Sequence, residues 1–150
     1  MRTRPSETTV RAWARLMKAQ RVLLDRAEEA LKKVNLPPLA WYDVLFELER
    51  CGGEGLRPAR LQTELMLAQY NLSRLLDRIE TAGYLNRRLC RDDARGQIVT
   101  ITAAGRRLLR RMWVVYSAVI QASIGEGLAL TEAETLTRVL GKLLEVGQAR

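Results

Sequence analysis

The chain has 150 residues, of which 47% are apolar and 28% charged, with 25 lysines and arginines against 17 aspartates and glutamates. This length suits one domain with a real core, or a small domain plus an association module, and excludes two independent enzymes. The mixture is typical of a soluble protein and argues against disorder. The formal net charge of +8 favours a polyanionic partner, although a basic protein without such a partner fits the charge equally well.

The residue inventory excludes several kinds of site. Histidine is absent and the cysteines are Cys51 and Cys90, which excludes imidazole bases, His-containing triads and Cys₄ zinc sites. An enzyme would have to work with carboxylates alone, and the adjacent Asp92 and Asp93 are placed on a turn tip with no evident pocket. We therefore expect no enzyme, no metal and no cofactor. No apolar run reaches the roughly 18 residues of a membrane span, and the start MRTRPSETT lacks a signal-peptide core, so we expect no membrane partner and a cytoplasmic location.

The first half of the chain predicts helices separated by proline and glycine. Apolar residues at steps of three and four predict a long helix over Thr8–Val34, ended by the prolines of NLPP. A second helix follows in LAWYDVLFELER and ends in the glycine cluster CGGEG. Leu56 and Arg57 precede Pro58, which predicts a short strand there and then a brief helix, ARLQTELM.

The middle of the chain predicts a helix-turn-helix followed by a hairpin. Between Gln69 and Thr81 the leucines and Ile79 form one apolar stripe, Gly83 is placed as a C-cap, and the opposite face is polar. A short helix joined closely to such a helix is typical of a helix-turn-helix. An alternation of period two then begins at Leu85 and resumes after the turn DDARG, which predicts a β-hairpin.

Two long helices complete the chain. Thr102 is placed to cap the helix AAGRRLLRRMWVVYSAVIQASI, and Thr131-Glu132-Ala133-Glu134 reads as a capping box for the last one. We expect Leu136, Leu140, Leu143 and Leu144 to face inward. The terminal helices carry more apolar surface than a domain of about 70 residues covers, which favours a homodimer over a monomer. The expected interface residues are Trp113, Val114, Val115, Tyr116, Val119, Ile120 and Leu140.

The order of these elements resembles the MarR family of bacterial transcription regulators over nearly the whole chain. The most specific part is LSRLLDRIETAGYLNRR, followed by DDARG and TITAAG, and Asp93–Gly96 matches the family's D-x-R-G wing tip. The resemblance implies a mainly α fold with a small β-wing, in which a winged helix-turn-helix domain joins intertwined N- and C-terminal dimerisation helices. Within a single domain, 1–150, the DNA-binding part would span about 38–101, and the dimerisation helices about 8–36 and 102–147.

A helix reads DNA when short polar side chains near its N-terminus enter the major groove. The predicted DNA-binding residues of the recognition helix are Gln69, Tyr70, Asn71, Ser73, Arg74 and Arg78. In the wing, Arg95 is predicted to enter the minor groove, and Arg87, Arg88 and Arg91 are predicted to contact phosphates. Asp93 is expected either to accept hydrogen bonds from local backbone amides or to pair with Arg95 and orient it. The alternatives are a solvated helix face and a charged turn without a partner.

A two-fold dimer predicts a pseudo-palindromic operator in double-stranded DNA, with half-sites about one helical turn apart. The resemblance further implies repression that a small phenolic or anionic effector relieves. Trp13, Trp41, Tyr42 and Asp43 fall near the corresponding cleft, although aromatic residues at helical spacing more often fill a core. The alternative functions are a non-specific nucleoid-type DNA binder, a winged-helix module for protein interaction, and a redox-sensing regulator that uses Cys90.

Overall fold

The computed structural model describes residues 4–65, 69–91 and 96–148, with the backbone alone at Gln69, Tyr70 and Gln148. Over these residues the elements are α1 (Glu7–Lys33), α2 (Leu39–Arg50), α3 (Pro58–Leu65), α4 (Gln69–Thr81), β1 (Leu85–Leu89), β2 (Gln97–Ile101), α5 (Ala103–Ile120) and α6 (Leu130–Gln148). They form two compact units: a winged-helix unit (Glu28–Val115) and a terminal unit (Met1–Ala27 with Tyr116–Arg150). The mainly helical fold with a two-stranded wing is confirmed.

The core of the winged-helix unit is built around α2, which packs against α3, α4 and β2. The apolar stripe predicted for α4 is confirmed, since Leu72, Leu76 and Ile79 are buried and Leu75 is half-buried. Because these positions recur at steps of three and four, burying them leaves the other side of the same helix to solvent. The buried partners on α2 include Val44, Leu45 and Leu48.

The end of α4 is fixed by a backbone motif at the predicted glycine. Gly83 has a φ of +85°, in the left-handed region that favours glycine. Its N–H donates to the Glu80 carbonyl oxygen at 2.8 Å, and the Tyr84 N–H donates to the Ile79 carbonyl oxygen at 3.1 Å. These two bonds satisfy the last carbonyls of the helix, so α4 ends at Thr81 as the sequence predicts.

The wing is an antiparallel pair in which Leu85 lies opposite Ile101. The strand predicted at Leu56 and Arg57 is reduced to a single bridge, in which Leu56 exchanges hydrogen bonds of 2.9 and 2.8 Å with Val99. Pro58 begins α3 two residues later, so the chain turns away before a longer pairing forms.

Two helix boundaries near the C-terminus differ from the prediction. The helix predicted after Thr102 ends its α-helical part at Ile120 and continues as a π-helical turn over Gln121–Gly125. The last helix starts at Leu130, and the Glu132 carboxylate accepts the Ala129 N–H at 2.8 Å. The capping box predicted on Thr131 and Glu134 is therefore displaced by two residues, because Glu132 is the carboxylate placed to reach back to the start of the helix.

The prediction that four leucines of α6 face inward is wrong for the single chain. Leu136, Leu143 and Leu144 are 38%, 53% and 61% exposed, and Leu140 is half-buried. They lie along one side of an amphipathic helix, and the terminal unit of one chain does not supply enough apolar surface to cover them.

The predicted interface residues at the end of α5 are partly exposed as well. Val114 is 70% and Trp113 48% exposed. Val115, Tyr116 and Val119 are half-buried, and Ile120 is 38% exposed.

No single helix in the described ranges is long and apolar enough to cross a membrane. The segments Ala103–Gly125 and Leu130–Gly147 meet that test only together, as a bent pair, by length and composition alone.

Candidate nucleic-acid interface

The outer face of α4 is a continuous polar surface. Because Leu72, Leu76 and Ile79 fill the buried side, the residues that project to the other side are Asn71, Ser73, Arg74, Asp77, Arg78 and Thr81, and all are exposed. Arg74 and Arg78 lie one turn apart on this face. Within the described part of the chain neither has an ion-pair partner.

Arg87 of β1 lies against α4 and forms ion pairs with Asp77 and Glu80 of that helix. The guanidinium Nη2 donates to Asp77 Oδ1 and, at 3.1 Å, to Glu80 Oε1, while Nε donates to Glu80 Oε2 at 3.3 Å. The Arg87 side chain is only 20% exposed. The hydrogen bonds from Glu80 and then Asp77 raise the pKa of Arg87 above its ordinary value, so the guanidinium stays charged.

This ion-pair cluster decides the charge of the polar face. Without Arg87, Asp77 and Glu80 would set two negative charges beside Arg74 and Arg78 and repel an anionic ligand. Arg87 offsets one of these two negative charges, so that the three arginines together leave the face with a net positive charge. The same contacts tie the base of the wing to the last two turns of α4.

The described part of the wing carries further positive charge. Arg88 and Arg91 are exposed, and no described residue forms an ion pair with either. The Cys90 N–H donates to the Gly96 carbonyl oxygen at 2.8 Å, which closes the described end of the hairpin. A positive ribbon therefore accompanies the positive helix face within the winged-helix unit.

Residues 35–96 match the model of the MarR family. This segment contains α2, α3, α4 and β1, and thus the whole polar face of α4 with its arginine cluster. The chain is therefore similar to the MarR family over this segment. The resemblance read from the sequence is confirmed.

Solved MarR-family structures share this fold over nearly the full length. AbsC, a regulator from Streptomyces coelicolor, is 24% identical with a TM-score of 0.85, covering 99% of this chain and 100% of that one. Sco3205 from the same organism, solved in complex with DNA, is 22% identical with a TM-score of 0.90, covering 99% and 92%. CouR from Rhodococcus jostii RHA1, bound to p-coumaroyl-CoA, is 23% identical with a TM-score of 0.72, covering 85% and 87%.

The structure brings part of the predicted MarR-type site together. Asn71, Ser73, Arg74 and Arg78 share the outer face of α4. The side chains of Gln69 and Tyr70 lie outside the described atoms, and Asp93 and Arg95 lie outside the described residues.

Arg87 has a different environment from the other predicted phosphate ligands. Whereas Arg88 and Arg91 are exposed, Arg87 is mostly enclosed by the carboxylates of Asp77 and Glu80. The sequence analysis did not identify these two acids as part of the site. The available signal was an acidic pair three residues apart on the polar face, but the arginine that meets it is known only from the packing of β1 on α4.

Two of the predicted effector residues form structural aromatic contacts. Tyr42 is 8% exposed and stacks with Phe46 and Trp113, at ring-centroid distances of 5.9 and 6.1 Å. Trp41 packs edge-on against Tyr84 at 6.1 Å. Tyr42 is thus part of the core, whereas Trp41 is half-buried, and an effector role for either residue stays a prediction.

The other two predicted effector residues have distinct surroundings. Trp13 belongs to the terminal unit and is 67% exposed. Asp43 belongs to the winged-helix unit, where desolvation by the neighbouring protein raises the pKa of its carboxyl above 3.8, with repulsion from Glu28 and Glu47 adding to the effect. The Asp43 residue as a whole is nevertheless exposed, so part of that repulsion is screened by water.

Both cysteines have local polar contacts. The Cys51 thiol donates to the Leu48 carbonyl oxygen at 3.1 Å, and Arg57 Nη2 lies 3.5 Å from Cys90 Sγ. The described residues contain no cluster of three side chains suited to a metal ion. Redox sensing at Cys90 stays a prediction.

Proposed function

We propose that this protein is a cytoplasmic, homodimeric transcriptional regulator that binds double-stranded DNA sequence-specifically, and that it acts as a repressor. The observation that carries the proposal is the exposed polar face of α4, on which no described residue forms an ion pair with Arg74 or Arg78, while Arg87 binds the carboxylates of Asp77 and Glu80. The match of residues 35–96 to the MarR family model supports a regulator rather than an enzyme. The similarity to Sco3205, which was solved in complex with DNA, supports the same partner.

In this proposal the N-terminal half of α4 reads base edges in the major groove. Asn71 and Gln69 suit an adenine edge, Arg74 suits guanine, and Ser73 and Tyr70 supply shorter and longer hydrogen-bonding groups. Arg78 lies one helical turn after Arg74 and is assigned to a contact with the sugar-phosphate backbone of the DNA.

The wing supplies the remaining contacts. Arg88 and Arg91 are assigned to phosphates, since both are exposed and no described residue pairs with them. Arg95, oriented by Asp93, is assigned to the minor groove, where the negative potential attracts arginine. For Arg87 the structure offers a role in neutralising carboxylates, and the earlier phosphate assignment is kept as the competing hypothesis.

The terminal unit is assigned to dimerisation. Three large apolar residues of this unit are more than half exposed: Trp13 of α1 and Leu143 and Leu144 of α6. A second copy would cover such faces, and the two-fold symmetry of a dimer predicts a pseudo-palindromic operator.

A competition binding experiment tests the DNA-binding proposal. A duplex enriched by the protein from a randomised library is compared with a scrambled duplex at two salt concentrations. We expect the enriched duplex to bind at least roughly 1,000-fold more tightly. Equal affinities with a steep salt dependence would replace the proposal with non-specific, nucleoid-type binding, and no binding to either duplex would favour a protein-interaction module.

For the effector, we propose a small phenolic ligand that lowers DNA affinity by favouring another separation of the recognition helices. The similarity to CouR, solved with p-coumaroyl-CoA, supports ligand control. The negative charges around Asp43 favour a neutral phenol over an anion at that position, because Glu28 and Glu47 already repel its carboxylate.

The effector proposal is tested by titrating neutral phenols and their carboxylated analogues into the complex with the enriched duplex. Release by the phenols alone is the expected result. Unchanged affinity with every compound would count against an effector of this class.

A further inference from the structure

Thr102, between β2 and α5, joins the end of α4 to the beginning of α5. Its hydroxyl donates to the Gly83 carbonyl oxygen at 2.8 Å and accepts the Gly105 N–H at 3.0 Å. Its own N–H donates to the Tyr84 carbonyl oxygen at 3.1 Å. One residue thus caps α5 and also bonds to both residues of the turn that ends α4.

The first turn of α5 lies very close to that turn. A Cβ added at Gly105 would be 2.2 Å from the Tyr84 carbonyl oxygen and 2.8 Å from Ile101 Cγ1. Gly105 is also buried. There is no room here for even a methyl group, so the backbone of α5 is held in contact with the end of α4.

Two further side-chain contacts from α5 go to α2. Arg106 Nε donates to Glu49 Oε2 at 2.8 Å, and Trp113 stacks on Tyr42. Among the hydrogen bonds that the structure describes, those of Thr102 and Gly105 are the ones that connect α5 to the C-terminal end of α4. The helix that starts at this joint continues through Ile120, into the part of the chain assigned to dimerisation.

We propose that Thr102 is a positioning residue that fixes the angle between α4 and α5 and thereby sets the half-site spacing that the dimer accepts. This inference rests on the proposed function, because spacing has meaning only for a dimer bound to two half-sites. A dimer measures the distance between its two recognition helices through the elements that connect them, and a looser joint lets each helix adjust to a different spacing. Removing the hydroxyl leaves the Gly83 carbonyl and the Gly105 N–H without their partner, which loosens this joint.

The test is enrichment from a library in which two half-sites are separated by a variable number of base pairs. Wild type is compared with Thr102→Val, which keeps the shape and loses the hydroxyl, and with Thr102→Ser, which keeps the hydroxyl. The matched control is Thr63→Val, because the exposed Thr63 hydroxyl donates to the Ala59 carbonyl oxygen of its own helix, α3, at 3.1 Å. Melting temperature is recorded for every variant, and affinity for an isolated half-site is measured separately.

We expect wild type, Thr102→Ser and Thr63→Val to enrich one spacing. Thr102→Val is expected to reduce the preference for that spacing over its neighbours by about tenfold, in the range of ordinary coupling between sites, with half-site affinity unchanged. A folded Thr102→Val that keeps the wild-type preference for one spacing would overturn the inference. A Thr102→Ser that accepts neighbouring spacings as readily as Thr102→Val does would overturn it as well.

A second variant covers the case in which Thr102→Val does not fold. Gly105→Ala keeps Thr102 and forces α5 away from Tyr84, so it is expected to shift or broaden the accepted spacing. A folded Gly105→Ala with unchanged spacing would overturn the inference. If wild type enriches no sequence at any spacing, the proposed function itself fails, and the inference fails with it.

Discussion

The two compact units of this chain differ in how far their apolar side chains are buried. Among the described residues, the buried apolar side chains lie from Leu31 to Met112, in the winged-helix unit, with Ala27 of the terminal unit as the exception. In the terminal unit Trp13, Leu130 and Val146 are 67%, 76% and 70% exposed. Helices of similar amphipathic character therefore form a closed core in one unit and an open apolar face in the other.

The single helix α1 contains both behaviours. Its apolar residues recur at the same steps along its whole length, yet Leu31 is 1% exposed and Val10 is 52% exposed. The change occurs where the helix passes from the terminal unit to the winged-helix unit, at Ala27 and Glu28. Periodicity predicts which face of a helix is apolar, but the partner that covers the face depends on the rest of the fold.

The largest expected effect comes from opening the closed core. Leu76→Ala removes a side chain that is 1% exposed, and we expect it to lower the free energy of unfolding by about 2–5 kcal/mol. Leu89→Ala, in the same unit but 67% exposed, should change it by no more than about 0.5 kcal/mol. Chemical denaturation of both variants measures the difference. Similar losses of unfolding free energy for the two variants would mean that the buried and the exposed leucine contribute equally to stability.

A second experiment tests whether a partner copy covers the open face. Leu143→Asp places a charge on the exposed apolar side of α6, and we expect it to raise the dimer dissociation constant by at least about 100-fold, because an interface would bury that charge. Leu89→Asp is the control at an exposed leucine of the other unit. Sedimentation analysis over a concentration series gives both constants. A Leu143→Asp protein with the mass and concentration dependence of wild type would remove this face from the interface.

A smaller effect separates the two roles of Arg87. If Arg87 offsets negative charge on Asp77 and Glu80, then Arg87→Gln should lower affinity for the enriched duplex by roughly 10-fold, within the usual range for one charged contact. Adding Asp77→Asn and Glu80→Gln should then restore most of the loss. Fluorescence anisotropy at several salt concentrations measures these affinities.

Arg88→Gln is the matched control for that experiment, because Arg88 is exposed on the neighbouring position of β1. We expect Arg88→Gln to lower affinity for the enriched duplex and to reduce the slope of log affinity against log salt concentration by about 0.9. Adding Asp77→Asn and Glu80→Gln should not restore that affinity. If Arg87→Gln behaves as Arg88→Gln is expected to, the phosphate-contact hypothesis replaces the neutralising role.

The smallest effect concerns Asp43. Its pKa is raised in the folded protein, so ionisation destabilises the fold, and this cost appears as the pH rises from below 3.8 through the folded-state pKa. Asp43→Asn should therefore be more stable than wild type at pH 7 and equally stable at low pH. Because the residue is exposed, screening limits the gain to roughly 0.5 kcal/mol. Thermal melts across this pH range check the sign, and a less stable Asp43→Asn at pH 7 would contradict it.

Local sequence signals predicted the elements that position the site. The range of α4, its glycine C-cap at Gly83 and the Thr102 cap of α5 each depend on residues within a few positions of one another, and all three are confirmed. The DNA-contact roles of Asn71, Ser73, Arg74 and Arg78 stay predictions, although their common exposed face follows from helical spacing alone.

Contacts between distant segments were not predictable in this way. Arg87 meets Asp77 and Glu80 only because β1 packs on α4, and neither helix nor strand periodicity encodes that register. The exposed leucines of α6 were wrongly expected to face inward. An apolar stripe predicts that a helix face will be buried, but it does not distinguish burial within the same chain from burial by a second chain. The π-helical turn after Ile120 left no pattern that distinguishes it from regular helix.

The central claim is that the outer face of α4 reads base sequence. It is tested most directly by the affinities of wild type and Arg74→Ala for every single-base variant of the enriched duplex. We predict that Arg74→Ala loses discrimination at one position in each half-site, by about 1–3 kcal/mol, and keeps its preferences elsewhere. A uniform weakening across all variants, with no position relaxed, would contradict the claim.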